Sequence, residues 1–161
     1  MFGLPIGAVN RTKGRTMSVA DGTILTVEEA RRIVAPLYDA LNRPGEKNVS
    51  ALLAQACHDD YQSYHTNQDY LTRDQLADVF RGVGSAVPDL AWEIADIRVA
   101  DDRIIVRGEA TGTPVADFFG AAPTGKSFRT MAIDLFTVRD GKLAKAYHIE
   151  NWTTALQQIA A

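Results

Sequence analysis

The first half of the chain carries apolar residues at helical spacing, interrupted by short polar breaks. The first such segment begins at Thr26, which has capping-box spacing to Glu29, so each side chain would bind a free backbone N–H at the helix start. Pro36 lies within the apolar face and predicts a kink or a break there, because proline removes one helical hydrogen bond. The residues of that face are Ala30, Ile33, Val34, Leu37 and Leu41.

Two further helices and one strand are predicted before the middle of the chain. The pattern indicates a short helix near residues 48–57. The aromatic run from Tyr61 to His65 is typical of a strand. A third helix begins at Thr72, which forms a second capping-box pair with Gln75. The residues that predict its end are Gly82, Gly84 and Pro88.

From Leu90 onward, short apolar runs alternate with turns, which is typical of strands. Four strands and a final helix are predicted over about 90–98, 104–113, 128–138, 143–150 and 153–159. The pair Asp140-Gly141 is a strong hairpin signal, and strands joined by hairpins are antiparallel. The order of elements therefore predicts an α+β fold, in which a curved antiparallel sheet wraps as a cone around the N-terminal helices and encloses a pocket. Residues 1–24 are interpreted as an irregular leader, and residues 25–161 as a single domain.

Composition excludes several classes of protein. The chain has 161 residues, with 17 Lys and Arg against 20 Asp and Glu, and the basic residues are scattered. A nucleic-acid partner is not expected, because such proteins usually show a basic stripe. No apolar run approaches the roughly 18 residues of a membrane span, so we expect no membrane partner and a cytoplasmic location. The single cysteine, Cys57, cannot form an internal disulfide, and it lacks the partner spacing of a zinc site.

Several short motifs of the second half occur in a recognisable order. They are Pro88-Asp89-Leu90, Gly112-Thr113, Phe118-Phe119-Gly120, Pro123-Thr124-Gly125-Lys126, Ile133-Asp134 and Asp140-Gly141-Lys142-Leu143. Together they resemble the SnoaL-like polyketide (ester) cyclases of the NTF2-like superfamily. The resemblance covers about residues 26–159. This scaffold hosts enzymes, binding modules and transport factors, so the resemblance speaks for fold more than for activity.

The resemblance carries its own expectations for activity. It implies no metal and no organic cofactor, a small hydrophobic ligand with a carbonyl group, and a homodimer formed through the sheet. Cyclases of this kind close a ring by intramolecular aldol condensation, after removing a proton next to a carbonyl. Their acid/base aspartate stands at the end of the last long strand, where this chain has Asn151. Asparagine cannot act as a base, so the standard mechanism does not transfer directly.

Two residues in predicted strands are the main catalytic candidates. Asp134 lies mid-strand between apolar residues, and in the related ketosteroid isomerases a carboxyl in a similar context donates a hydrogen bond to the enolate oxygen. The alternative for Asp134 is a pairing with Arg129 or Arg107. His148 is suited to acid/base work because imidazole titrates near neutral pH. Strand alternation would point His148 outward, beside Glu150, unless a bulge reverses the pattern.

Two further candidates stand at strand ends. His65 ends the aromatic strand and is expected to orient a substrate carbonyl or to be a satisfied polar residue. Asn151 is expected either to bind a carbonyl in the pocket or to cap the last helix, since asparagine favours N-cap positions. Residues proposed to line a substrate pocket are Tyr147, Tyr61, Phe118, Phe128, Phe136 and Trp152.

The sequence leaves three functions open. The first is a cyclase- or isomerase-type enzyme, in which Asp134 stabilises an enolate and His148 or His65 moves the proton. The second is a non-catalytic small-molecule-binding or assembly module, favoured by Asn151. The third is an epoxide hydrolase, for which Asp134 and Arg129 would supply part of an Asp-Arg-Asp network.

Overall fold

The computed structural model describes residues 25–160. The proposed leader, residues 1–24, lies outside the described residues, as does residue 161. The helices are α1 (Val27–Leu41), α2 (Val49–Ala56), α3 (Arg73–Ala86) and α4 (Trp152–Ala160), with a short 3-10 helix at Pro44–Glu46. The strands are β1 (Cys57–Tyr64), β2 (Tyr70–Thr72), β3 (Ala91–Ala100), β4 (Arg103–Gly112), β5 (Phe128–Arg139) and β6 (Lys142–Glu150).

The helix starts follow the predicted caps. Thr26 with Glu29 and Thr72 with Gln75 each form a complete capping box at the start of α1 and α3. Pro36 does not split α1, which continues as one helix because its neighbours Val34 and Leu37 are buried. Helical stability in a protein comes mostly from such packing.

The end of α3 differs from the prediction. The helix runs through Gly82 and Gly84 to Ala86, and Val87 is its extended C-cap. Val87 precedes Pro88, and the proline ring disfavours the helical conformation for the residue before it. The proline, rather than the glycines, therefore ends the helix.

The six strands form one sheet in the order β2-β1-β6-β5-β4-β3. The pairs β3–β4, β4–β5 and β5–β6 are antiparallel, as the turn signals predicted, and β1–β2 is antiparallel too. The pair β1–β6 is parallel, so the sheet is mixed rather than wholly antiparallel. These two strands are far apart in sequence, and no hairpin signal reports their direction. The three-residue strand β2 was not predicted.

The helices and the curved sheet enclose one core, so the α+β class is confirmed. Helix α1 contacts β3 and β6, and α3 contacts β1. Among the largest fully buried side chains are Tyr61, Phe136, Leu53 and Ile104. One face of the sheet therefore packs against the helices, and we call it the inner face.

An irregularity in β6 decides which of its side chains reach the inner face. Thr137 pairs with Lys145 and Val138 pairs with Leu143, so Ala144 is an extra residue on β6. A bulge of this kind reverses the alternation of the residues that follow it. As a result Leu143 and Ala146 are both buried, and His148 follows Ala146 onto the inner face.

Candidate active site

A cavity opens between the inner face of the sheet and helices α1 and α3. The space not filled by atoms is about 350 Å³ when the open solvent at the mouth is included. Most of its wall is apolar, and its polar side chains come from β1, β5 and β6. The lining residues are Leu37, Leu41, Tyr61, Ser63, Leu76, Phe80, Trp92, Asp134, Phe136, Ala146, His148 and Glu150.

Asp134 extends from β5 into this cavity and is held by a tyrosine of α1. The Tyr38 hydroxyl donates a hydrogen bond of 2.6 Å to Oδ2 of Asp134. Tyr38 is itself buried, on the face of α1 that includes Val34 and Leu37. The bond fixes one carboxylate oxygen and leaves Oδ1 for a ligand. Pairing of Asp134 with an arginine is not seen, because Arg129 pairs with Glu109 and Arg107 is exposed on β4.

His148 and Glu150 stand beside Asp134 on the next strand. Nδ1 of His148 lies 3.1 Å from Oε1 of Glu150. A carboxylate only accepts hydrogen bonds, so Nδ1 carries the proton that is donated to Glu150. The other ring nitrogen, Nε2, is buried and has no hydrogen-bond partner among the described residues.

The register of β5 and β6 brings the acid and the imidazole together. Asp134 and His148 are direct cross-strand partners, and Glu150 lies opposite Ala132. Partners of this kind share one face of the sheet, with Cα atoms about 4.5–5.5 Å apart. The expectation that His148 faces outward therefore fails, and the bulge at Ala144 is the physical reason.

Burial and neighbouring charges shift the ionisation of both groups. Burial raises the pKa of Asp134 to about 6, although the Tyr38 hydrogen bond and the charge of His148 oppose the change. Burial lowers the pKa of His148, but its hydrogen bond to Glu150 and the charges of Glu150 and Asp134 outweigh it, so the pKa is raised. Burial also raises the pKa of Tyr38 well above its usual range, so its hydroxyl remains a donor. Inside the apolar cavity, Asp134 therefore holds its proton more tightly than a free carboxyl does, and His148 favours the imidazolium form more than a free histidine does.

Two of the predicted lining residues are in the cavity wall, Tyr61 and Phe136. Phe118, Phe128 and Trp152 instead pack against one another, with ring centroids 5.4–5.8 Å apart. They form a separate aromatic cluster, which does not line the cavity. Tyr147 lies on the outer face of the sheet, where it is 40% exposed and its ring is 4.9 Å from that of Tyr64. The bulge that turns His148 inward turns Tyr147 outward.

The two strand-end candidates are not part of the cavity wall. His65 is exposed in the bend that follows β1. The Asn151 side chain accepts a 3.2 Å hydrogen bond from the backbone N–H of Thr154, so it caps α4. The structure therefore agrees with the second alternative for Asn151, a helix cap. Asn151 is exposed to solvent.

Sequence reasoning missed Tyr38 and did not assign Glu150 or Trp92 a central place. Tyr38 is four residues after Val34, so its position on the buried face of α1 was readable from helical spacing. A buried tyrosine hydroxyl usually has a hydrogen-bond partner, so Tyr38 could have predicted a polar side chain packed against this face of α1. The inward orientation of Glu150 depends on the bulge, for which the sequence carries no comparable signal.

Within residues 25–160, no group of three or more His, Cys, Asp or Glu side chains is arranged to hold a metal ion. The same residues include no helix that is long and apolar enough to cross a membrane. Arg129 lies on the outer face of β5 and pairs with Glu109, so it does not join Asp134 in an Asp-Arg-Asp network. In the part of the chain that the structure describes, the Asp134–Arg129 contact that the epoxide hydrolase alternative requires is thus not found.

Comparison with known proteins identifies the scaffold. A family model described as SnoaL-like polyketide cyclase matches residues 31–159. Similar solved structures include TsrD from Streptomyces laurentii, with a TM-score of 0.73, 20% identity, and coverage of 85% of this chain and 98% of that one. IdmH from Streptomyces antibioticus, a proposed polyketide cyclase, has a TM-score of 0.70 and 23% identity, covering 81% of this chain and 97% of that one.

AclR from Streptomyces galilaeus, a proposed hydroxylase, has a TM-score of 0.71 and 21% identity, covering 84% of this chain and 98% of that one. Identities this low show a shared fold, and the activities proposed in the names of IdmH and AclR differ from each other. Among curated protein sequences, the chain matches none.

Proposed function

The chain belongs to the SnoaL-like polyketide cyclase family, and we propose that it is a cofactor-independent enzyme of cyclase or isomerase type. The proposed chemistry removes a proton from a carbon next to a carbonyl in a small hydrophobic substrate. One observation carries the proposal: Asp134 and His148 are cross-strand partners in the wall of one apolar cavity. A carboxylate and an imidazolium in such a place are the two groups that carbon-acid chemistry requires.

Asp134 is proposed as the general base. A base works best when its pKa lies near the operating pH, and burial raises the pKa of Asp134 to about 6. The Tyr38 hydrogen bond to Oδ2 fixes the orientation of the carboxylate, so that Oδ1 takes the proton from the substrate carbon. This assignment reverses the roles expected from the sequence, where Asp134 was the enolate stabiliser.

His148 is proposed to stabilise the enolate oxygen. Glu150 accepts the Nδ1 proton, and the raised pKa of His148 favours the imidazolium, which carries a second proton on Nε2. Nε2–H is then free to donate to the oxygen on which negative charge develops. A preorganised donor of this kind is typically worth about 10²–10³ in rate.

Ring closure needs a second carbonyl in the same molecule. The enolate carbon attacks that carbonyl carbon, a carbon–carbon bond forms, and the proton held on Asp134 passes to the new alkoxide oxygen. Isomerisation needs only the return of that proton to another carbon. Both outcomes use the same two residues, and the substrate decides between them.

The binding-module alternative loses its main support. It was favoured because Asn151 occupies the position expected for the family aspartate. Asn151 caps α4 and is exposed, so its identity does not report on the chemistry of the cavity. Asp134 and His148 supply an acid/base pair without it.

Hydrogen–deuterium exchange tests the proposed function. We expect the wild-type protein to accelerate exchange of the α-protons of aryl ketones and keto esters in deuterated buffer, followed by proton NMR. Asp134→Asn should lower that rate by about 10²–10⁴. Asp101→Asn is the matched control, because Asp101 is exposed in a turn with φ 54°, a conformation that asparagine adopts readily. Exchange at the buffer rate across the panel, or equal rates for Asp134→Asn and wild type, would refute the proposal.

We also propose that a second copy of the chain covers the outer face of β5 and β6, as the family resemblance implies. This face presents Met131, Ile133, Tyr147 and Ile149, all 40% or more exposed. Sedimentation velocity at micromolar concentration should find a dimer for wild type and a monomer for Ile149→Lys. A monomeric wild type would exclude this interface.

A further inference from the structure

Two buried side-chain nitrogens have no hydrogen-bond partner among the described residues, and both belong to residues that line the cavity. One is Nε2 of His148, which the proposed reaction uses. The other is Nε1 of Trp92. Buried polar atoms are almost always paired in folded proteins, so a buried donor without a partner requires an explanation.

The position of Trp92 is tightly determined. Its backbone N–H donates to Oδ1 of Asn42 at 2.8 Å, and its carbonyl oxygen accepts from Nδ2 of Asn42 at 3.1 Å. The side chain is 9% exposed. Its Cε3 and Cζ3 atoms are 3.7 and 3.8 Å from where a Cβ on Gly108 would stand.

The benzene part of the indole lies beside Gly108 of β4. Cε3 and Cζ3, the ring atoms nearest to Gly108, lie on the side of the indole remote from Nε1. Gly108 pairs with Ala132, and Ala132 pairs with Glu150. Gly108, beside the Trp92 ring, therefore stands in one cross-strand row with Ala132 and Glu150.

We infer that Trp92 is a positioning residue, whose indole N–H donates a hydrogen bond to a second oxygen of the substrate, separate from the reacting carbonyl. The inference rests on the proposed function, because it takes the same cavity as the substrate site. The indole N–H is only a donor, so the partner must be an acceptor such as an ester or keto carbonyl oxygen. The oxygen that Trp92 binds is thus an anchor that takes no part in bond making or breaking.

A pair of matched ligands tests this assignment on the unmodified protein. Methyl benzoylacetate carries a ketone and an ester, and valerophenone has the same chain length without the ester oxygens. Isothermal titration calorimetry should show the keto ester binding at least tenfold more tightly than valerophenone to wild type. Equal affinities, or no binding of the keto ester up to its solubility limit, would overturn the inference.

The variant Trp92→Phe removes the N–H and keeps most of the ring. It should weaken binding of methyl benzoylacetate about tenfold more than it weakens binding of valerophenone, because both ligands lose the same ring contacts and only the keto ester loses the hydrogen bond. Trp152→Phe is the control, because Trp152 lies in the separate aromatic cluster and should change neither affinity. An unchanged keto ester affinity in a folded Trp92→Phe protein would contradict the assignment.

Binding and exchange separate the two proposals. One outcome is that Trp92→Phe weakens binding of the keto ester more than that of valerophenone, while no α-proton exchange is catalysed. Trp92 is then a ligand anchor, and the proposed chemistry is wrong. If exchange is catalysed and depends on Asp134, while Trp92→Phe changes neither affinity, the chemistry stands and the role of Trp92 is refuted.

Discussion

At one end of the β5–β6 pair, the inner face is polar and the outer face is apolar. This is the reverse of what is usual for a sheet covered by helices on one side. The inner face carries Asp134, His148 and Glu150 near the open end of the pair. The outer face carries Ile133, opposite Ile149, which is 71% exposed. Sheets of this kind ordinarily place apolar residues inside and polar residues outside.

The reversal is confined to one end of the pair. Near the β5–β6 turn, the inner face is apolar, with Phe136 opposite Ala146 and Val138 opposite Leu143. The polar inner residues begin two positions farther along each strand. The comparison indicates that the turn end of the pair supports the fold, while the open end gives up apolar burial in order to hold charged groups in a cavity.

His148→Leu should have the largest effect on this difference between the faces, because it makes the open end of the inner face more apolar. The variant loses the Nε2–H donor that is proposed to stabilise the enolate oxygen. We expect α-proton exchange to fall by about 10²–10³.

His65→Leu is the matched control, because His65 is exposed in the bend that follows β1. It should leave exchange within threefold of wild type. If His148→Leu also retains exchange within threefold, His148 does not stabilise the enolate.

Tyr38→Phe should have the next largest effect, because it removes the donor that holds Asp134. The Tyr38 hydrogen bond lowers the pKa of Asp134, so its loss raises that pKa. The acid limb of the rate–pH profile, which reports ionisation of Asp134, should move to higher pH. Loss of a hydrogen bond to a charged group should also lower the free energy of unfolding at pH 8 by about 1.5–3 kcal/mol.

The loss of stability should be smaller at pH 5, where Asp134 is largely protonated. Tyr70→Phe is the matched control, since Tyr70 is 44% exposed on β2. An acid limb that stays in place in Tyr38→Phe would show that Tyr38 does not tune the carboxylate.

Asp134→Asn should change the difference between the faces least, because an amide keeps a polar side chain at this position, and its effect on stability has the opposite sign. The pKa of Asp134 is raised by folding from 3.8 to about 6, so the folded protein binds the proton more tightly. Stability is therefore lost as the pH rises from about 4 through 6, and a neutral asparagine avoids that loss. At pH 8 the variant should gain about 3 kcal/mol, or a rise in Tm of about 6–12 °C.

The gain should vanish near pH 4, where the carboxyl of the wild-type protein is protonated. Thermal melts at the two pH values measure the difference. If Asp134→Asn is less stable than wild type at pH 8, the charged carboxylate stabilises the folded protein. The polar end of the inner face would then not lower the free energy of unfolding.

Much of the fold followed from local signals. The two capping boxes placed the starts of α1 and α3, because they depend on residues three positions apart. The Asp140-Gly141 turn placed the β5–β6 hairpin, and both residues have positive φ, 48° and 73°. Each of these features is set by neighbours in the chain, which is why reading the sequence locates it.

The candidate site was only partly readable. Asp134 was identified because a mid-strand carboxyl between apolar residues requires a partner, yet the partner, Tyr38, is 96 positions away in sequence. His65 was proposed from its aromatic context, but the chain turns into an exposed bend there. A contact between distant elements leaves no spacing pattern for sequence analysis to find.

The sequence by itself determined the α+β class, the order of the elements and the two residue types on which the proposed chemistry depends. The tertiary structure alone decided that β1 lies parallel to β6 and that the extra residue, Ala144, turns His148 and Glu150 inward. Alternation along a strand has a period of two, so one inserted residue reverses every later side chain. The position of that residue follows from pairing with β5 across the sheet, and pairing is a property of the folded protein.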